Sequence, residues 1–357
     1  MVRSYGPLFE GELFNAKSVA AAAVNKYGQG LIVLEDHLEN VDPCLSADIR
    51  LLRQLLTESP PALRFELLSG PHLRSAIDAA FIDAHADLKG VGYKAISTAC
   101  KLLSSHLERA PSAPQGLGLN IVQVEGDCDL ESQAIERLFD RFMSRNVAKV
   151  KAAIVEPADG FVQLADAAAD LLISVDRGLY EQVVYNGRYV GFIDYAENSI
   201  RSGYREIAQS VSSHLVPSTF FVSYHSAKDT ETLAEAFLHE SLHKKLSNTL
   251  YVNNFLIDGE YSGKFNSYWN RDSRWNSNQW ECDRAVYAFH FYAHFSNFYH
   301  DEKFKDAFKI NGRAKETVAE ERGRALFEWM SQTWTFYLTQ QGWEFFSELS
   351  RRAGYLQ

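Results

Sequence analysis

The sequence predicts an α+β fold that is mostly helical, with small β elements and two central helices, one bearing paired histidines and one strongly aromatic. Three observations predict it. Apolar residues recur at helical spacing over much of the chain, β-rich runs bounded by turn residues are few and short, and roughly the last 80 residues read as aromatic helices. The chain has 357 residues, 46% apolar and 23% charged, enough to bury one large core or two smaller ones.

The elements follow in order. AKSVAAAAVNKYG and SADIRLLRQLLTES read as helices, the second closed by Pro60-Pro61, which cannot continue it. A helical pattern covers 71–108, and APSAPQGLG (Ala110–Gly118) reads as a connection. LNIVQVEG reads as a strand and ESQAIERLFDRFMSR as an amphipathic helix; AAIVEPADGFVQLADAAADLLISV is mixed and resists division. In EQVVYNGRYVGFID, Asn186-Gly187 suits a type I′ turn, which predicts two short strands paired across it. A helix over about 199–214 is expected next, then Pro217 and the β-rich run TFFVSYHS. The helix after that opens with Thr232 and Glu235 in capping-box spacing. Residues 278–299 form the aromatic helix.

Composition excludes several functions. Net charge is −10 and the basic residues are scattered, so a nucleic-acid backbone is not an expected partner. Cys44, Cys100, Cys128 and Cys282 lie far apart with no CxxC pair, as in a reduced cytoplasmic protein rather than a disulfide frame. No signal-peptide pattern opens the sequence, and no uncharged apolar stretch reaches the ~18 residues that span a bilayer, so no membrane association is expected.

The motif that carries chemistry is FLHESLHKKL. Four residues apart on a helix, His239 and His243 project from one face a single turn apart and can take adjacent positions on one divalent ion. Glu240 points to the adjoining sector. With Ala236 and Leu246 extending it, the histidine face is expected to be buried, with Lys244 and Lys245 reaching water. Chance gives such a motif in roughly 2 of 100 chains of this composition. A capped helix, a preceding strand and an apolar flank raise its weight.

A third ligand must come from farther on. Leu246 and Thr249 stand where a metzincin needs Gly and His, which excludes that subclass. In NQWECDRAVYAFHFYAHFSNFY, Asp283, Tyr287, His290 and His294 share a polar stripe on a helix too apolar for the surface. Such a stripe needs a partner, and the histidine helix would be one. His290 is the first choice, with His294, Glu281 and Asp283 as alternatives and Glu260 of the DGEY loop behind them. Arg271 and Arg274 flank Asp272 among three tryptophans and could grip a carboxylate, as could Arg284; each could equally serve in a structural salt bridge.

LHESLHKKL, followed by WNRDSR and then FHFYAHF, resembles the HExxH-type 2-oxoglutarate-dependent peptide β-hydroxylases, which modify ribosomally made precursor peptides in natural-product biosynthesis. The resemblance rests on residues 230–300. It implies Fe(II) held by His239, His243 and His290, with 2-oxoglutarate as co-substrate, O2 as oxidant and a peptide side chain as target. It also implies an arginine for the co-substrate: Arg274, then Arg284 and Arg271. The expected division is 1–215, a mixed region suited to binding the peptide, and 216–357, the metal core, the two forming separate units or one compact body. Two other functions remain open: a zinc metallopeptidase with Glu240 as general base, and a non-enzymatic binding protein stabilised by metal. The sequence names neither the peptide nor an oligomeric state.

Overall fold

The computed structural model describes residues 11, 13–86, 90–109, 118–124, 129–146, 152–157, 159–195, 210–223, 228–257, 263–270, 278–309 and 313–356. Helix accounts for 72%, in 13 α-helices among the described residues, with a few small strands, as the sequence predicts. Five helices come first: α1 (Ala16–Leu38), α2 (Pro43–Glu58), α3 (Pro61–Ser69), α4 (Pro71–His85) and α5 (Val91–Arg109). Asn15 and Asp42 cap α1 and α2, and proline sits in the first turn of α2, α3 and α4, where its missing N–H costs nothing. Their facing stripes build an aliphatic core around Leu34, Ile49, Leu52, Leu73, Ile77 and Ile96. The pattern read over 71–108 is thus two helices. The connection expected at 110–118 falls, except for Gly118, outside the described residues.

The next elements form a sheet flanked by helices: β1 (Asn120–Ile121), α6 (Leu130–Asn146), β2 (Ala152–Val155), α7 (Asp159–Val175), α8 (Arg177–Asn186), β3 (Tyr189–Tyr195), β4 (Ser210–Ser212) and β5 (Thr219–Ser223). Strand order is β1-β3-β5-β4, with β2 also paired to β3; β3 runs parallel to β1 and β5 and antiparallel to β2. Its two faces alternate. Val190, Phe192, Phe220 and Val222 enter the main core, while Tyr189, Ile193 and Phe221 pack with Ile135 and Phe139 of α6. The β3–β5 pairing crosses residue 215.

Two expectations fail in this region. Asn186-Gly187 does not turn a hairpin: residues 177–186 are helix α8, capped by Asp176, and Gly187 closes it with φ −127°. A Cβ on Gly187 would stand 2.7 Å from the Phe220 ring, so close packing of backbone on ring requires the glycine. Ser210–Ser212 is strand rather than the end of a helix, because it pairs with β5; residues 199–209 lie outside the described set.

Then come α9 (Thr230–Val252), the hairpin β6 (Phe265–Asn266) and β7 (Gln279–Trp280), α10 (Cys282–His300), α11 (Glu302–Ala307), α12 (Arg313–Thr333) and α13 (Gln340–Arg352). α9 packs on α1, α7, α8 and α10, and α10 lies along α12. Among the described residues no helix is long and apolar enough to cross a membrane. Cys44, Cys100 and Cys282 are free thiols.

Candidate metal centre

α9 begins at Asp229, whose carboxylate accepts from the Thr232 N–H at 2.7 Å. Thr232 and Glu235 therefore do not form the expected box; Glu235 instead accepts from the Tyr299 hydroxyl and from Lys315. No residue of the helix is fully exposed. Leu233, Phe237, Leu238, Leu242 and Leu246 are buried, and so are Glu240, Lys244, Lys245 and Asn248. Between Ala236 and Ser247 the half-open positions are Ala236, His239, His243 and Ser247, which form one stripe.

The expected orientation is thus reversed: the histidines face the opening and the lysines face the interior. Lys244 donates to the carbonyls of Ser213 (2.6 Å) and Val216 (2.5 Å) in the β4–β5 turn. Burial lowers both lysines to about 7. Further polar ties fix the helix from behind, since Asn248 bonds both Asn186 and Arg74.

The Nε2 atoms of His239 and His243 lie 3.0 Å apart. Two imidazoles each about 2.1 Å from one ion, at near right angles, would show about that separation. Burial lowers both rings to about 4, so they are neutral, the form that binds metal, at ordinary pH. The Phe291 ring stacks on His239 at 4.0 Å, and Tyr287 stands 5.9 Å from His243 with its hydroxyl 2.8 Å from that of Ser247. Glu240 lies deeper: Ser210 Oγ donates to its Oε1 at 2.6 Å, and that oxygen is 4.0 Å from His239 Nδ1, the nitrogen away from the converging pair.

The residues of α10 fall into two groups. Tyr287, Phe291 and Phe295 meet the histidine stripe, while His290 and His294 are fully buried on the neighbouring face. Burial, with the charges of Lys245 and His243, holds His290 far below the ordinary imidazole range; burial, with Lys245 and His290, does the same for His294. Among the described residues neither ring nitrogen of His290 has a hydrogen-bond partner. Among the described residues no three His, Cys, Asp or Glu side chains gather around one point, so none of the expected third ligands joins the pair there. Glu281 pairs with Lys264 at 2.9 Å, and Asp283 accepts from the Arg284 N–H. Arg284 stacks over Trp280 at 4.6 Å. Arg271, Arg274 and Glu260 lie outside the described residues.

Sequence reasoning passed over Ser210, which holds Glu240, and Phe291, which walls the pair. Neither carries a local signal, because both reach the site through tertiary packing. The chain matches no protein-family model and no curated protein.

Proposed function

We propose that the chain is an Fe(II)- and 2-oxoglutarate-dependent oxygenase that hydroxylates the β-carbon of a side chain in a ribosomally made peptide, acting in the cytoplasm. The observation that carries the metal is the convergence of two neutral imidazoles, 3.0 Å apart, on the half-open stripe of an otherwise buried helix. The resemblance implies His290 as the third ligand, but among the described residues it is not gathered with the pair. A fully buried imidazole with both nitrogens unpaired is costly, and a metal is a partner that would remove the cost. If iron were bound, His239 and His243 would hold it, and it would supply the oxidising chemistry with the 2-oxo acid and O2. The chain's own part is to hold the imidazoles neutral, wall them with Phe291 and Tyr287, and offer the half-open aromatic face of α10 to a peptide. Free, scattered thiols suit a reducing compartment.

The position of Glu240 favours this reading over a zinc peptidase. A general base for metal-bound water must reach the open side. Glu240 is 2% exposed, and one of its oxygens is taken by Ser210. The test is to load the protein with Fe(II) without O2, add 2-oxoglutarate and then O2, and measure succinate. Succinate above a His239→Ala control is expected. Peptide cleavage without succinate would establish the hydrolase, and neither product would remove both enzymes.

A further inference from the structure

The corner between α3 and α4 is closed by a carboxylate that belongs to neither helix. Gly70 stands at the N-cap of α4 and has no side chain with which to cap it. Glu131, in the first turn of α6, does so instead: its Oε2 accepts from the His72 N–H at 2.8 Å. A Cβ on Gly70 would stand 2.3 Å from Glu131 Oε1, so the bare glycine is what lets the carboxylate lie against the start of the helix. The two partners are 59 residues apart, and their bond ties α6, with the sheet beside it, to the N-terminal bundle.

This corner is rich in carboxylates. Glu66 of α3 and Asp129, just before α6, both face Glu131. The cation that faces it is Arg188, just before β3, which is 3% exposed and already donates to Glu66 at 2.7 Å. Burial, with the charge of Arg137, lowers His72, so that ring adds no positive charge near neutral pH. The Tyr189 phenol is raised by burial and keeps its proton. Glu131 is half-buried along its length and enclosed at its carboxyl end. Burial, opposed by the His72 N–H and Arg188 and reinforced by Asp129 and Glu66, pushes that carboxyl up to about 7.

We infer that Glu131 is a proton-operated latch between the N-terminal bundle and the sheet layer, closed when its carboxyl is protonated and loosened when it is ionised. A protonated carboxyl keeps an oxygen for the His72 N–H, adds a donor to a corner full of acceptors and removes one of three like charges. The ionised form draws water into the corner, which parts α6 from α4. Because the closed corner holds its proton more tightly than an exposed carboxyl does, the latch stabilises fully below the ordinary carboxylate range. That contribution is lost as pH rises to about 7. The latch also reaches the histidine helix from behind. Arg74, two residues past His72, donates to Ser218 and to Asn248 at 3.1 Å each, and Asn248 lies five residues past His243.

The experiment is hydrogen–deuterium exchange of the whole chain at pH 6 and pH 8, each rate corrected for the chemical exchange rate at that pH. In the native chain the amides of α4 and α6 beside the corner should open about tenfold more readily at pH 8 than at pH 6. Glu131→Gln keeps an acceptor for the His72 N–H but cannot titrate, so its corner should open equally at both. A native corner that opens equally at the two pH values would overturn the latch. So would a glutamine variant that keeps the native pH dependence. Should that variant fail to fold, Gly70→Ala decides: its methyl group displaces the carboxylate, and the pH dependence should vanish with it. A folded alanine variant that opens as the native chain does would move the titrating group away from Glu131.

Discussion

The five N-terminal helices and the pair α9–α10 bury their side chains by different rules. The first set encloses Leu34, Ile49, Leu52, Leu73 and Ile77, and its buried charged side chains are met: Glu35 by Arg50 and Arg53, Asp83 by the Gly90 and Tyr93 N–H groups, and Arg74 by Ser218 and Asn248. α9 and α10 bury Glu240, Lys244, Lys245, His290 and His294 among phenylalanines. Apolar burial on one stripe follows from the hydrophobic effect and asks for nothing else. Buried charge and imidazole are costly unless other groups answer them, so the second region is shaped by a further demand. The difference separates scaffold from site without reference to any motif.

The sharpest way to break that comparison is to remove one of the two histidines proposed to bind metal. His239→Ala or His243→Ala should cut bound metal from near one equivalent to below about a tenth, read by elemental analysis of purified protein. Leu34→Ala, in the first region, should cost about 2–5 kcal/mol by denaturant unfolding and leave metal content unchanged. Metal lost equally from the leucine variant would mean that the two regions are not distinct.

Next in size is Lys244→Met. It strands the carbonyls of Ser213 and Val216 and should destabilise by about 3 kcal/mol. An unchanged melting temperature would show that the second region accepts an apolar side chain as readily as the first. Gly187→Ala probes the sheet beneath α9. Its methyl group would press on Phe220, and about 1–3 kcal/mol should be lost.

The comparison can also be sharpened by pH. Lys244 and Lys245 titrate near 7 when folded and near 10.4 when unfolded, so above pH 7 the unfolded chain holds protons that the folded chain has released. Stability should therefore rise between pH 7 and 10, and Lys244→Met should flatten the rise. His239 and His243 act at the other end. Their folded values near 4 lie below the unfolded value near 6.5, so stability falls as pH drops from 6.5 toward 4. Calorimetric scans across pH 4–10 check both slopes; a flat profile would contradict the assigned directions.

What the sequence made legible follows the same divide. α2 and α6 carry apolar residues at helical spacing beside a charged face, and each is found where that spacing predicts. The hairpin at Asn186-Gly187 failed because a two-residue signal cannot register Phe220, which lies 33 residues away and fills the space above the glycine. Lys244 and Lys245 were pointed outward for a similar reason. α9 has no polar side, so periodicity gives no inside or outside, and the carbonyls that receive Lys244 belong to another element. The histidine pair was legible because its geometry is local to one turn.

The enclosure of α9 also bears on how the site forms. A helix with scarcely any solvent face has no route to partial opening, so its amides should exchange with deuterium only when the surrounding core unfolds. The two imidazoles ride on that enclosed segment, with their Nε2 atoms 3.0 Å apart. Metal capture would then require little ordering of the chain, and deuterium uptake along α9 should barely differ between the metal-free and metal-loaded protein.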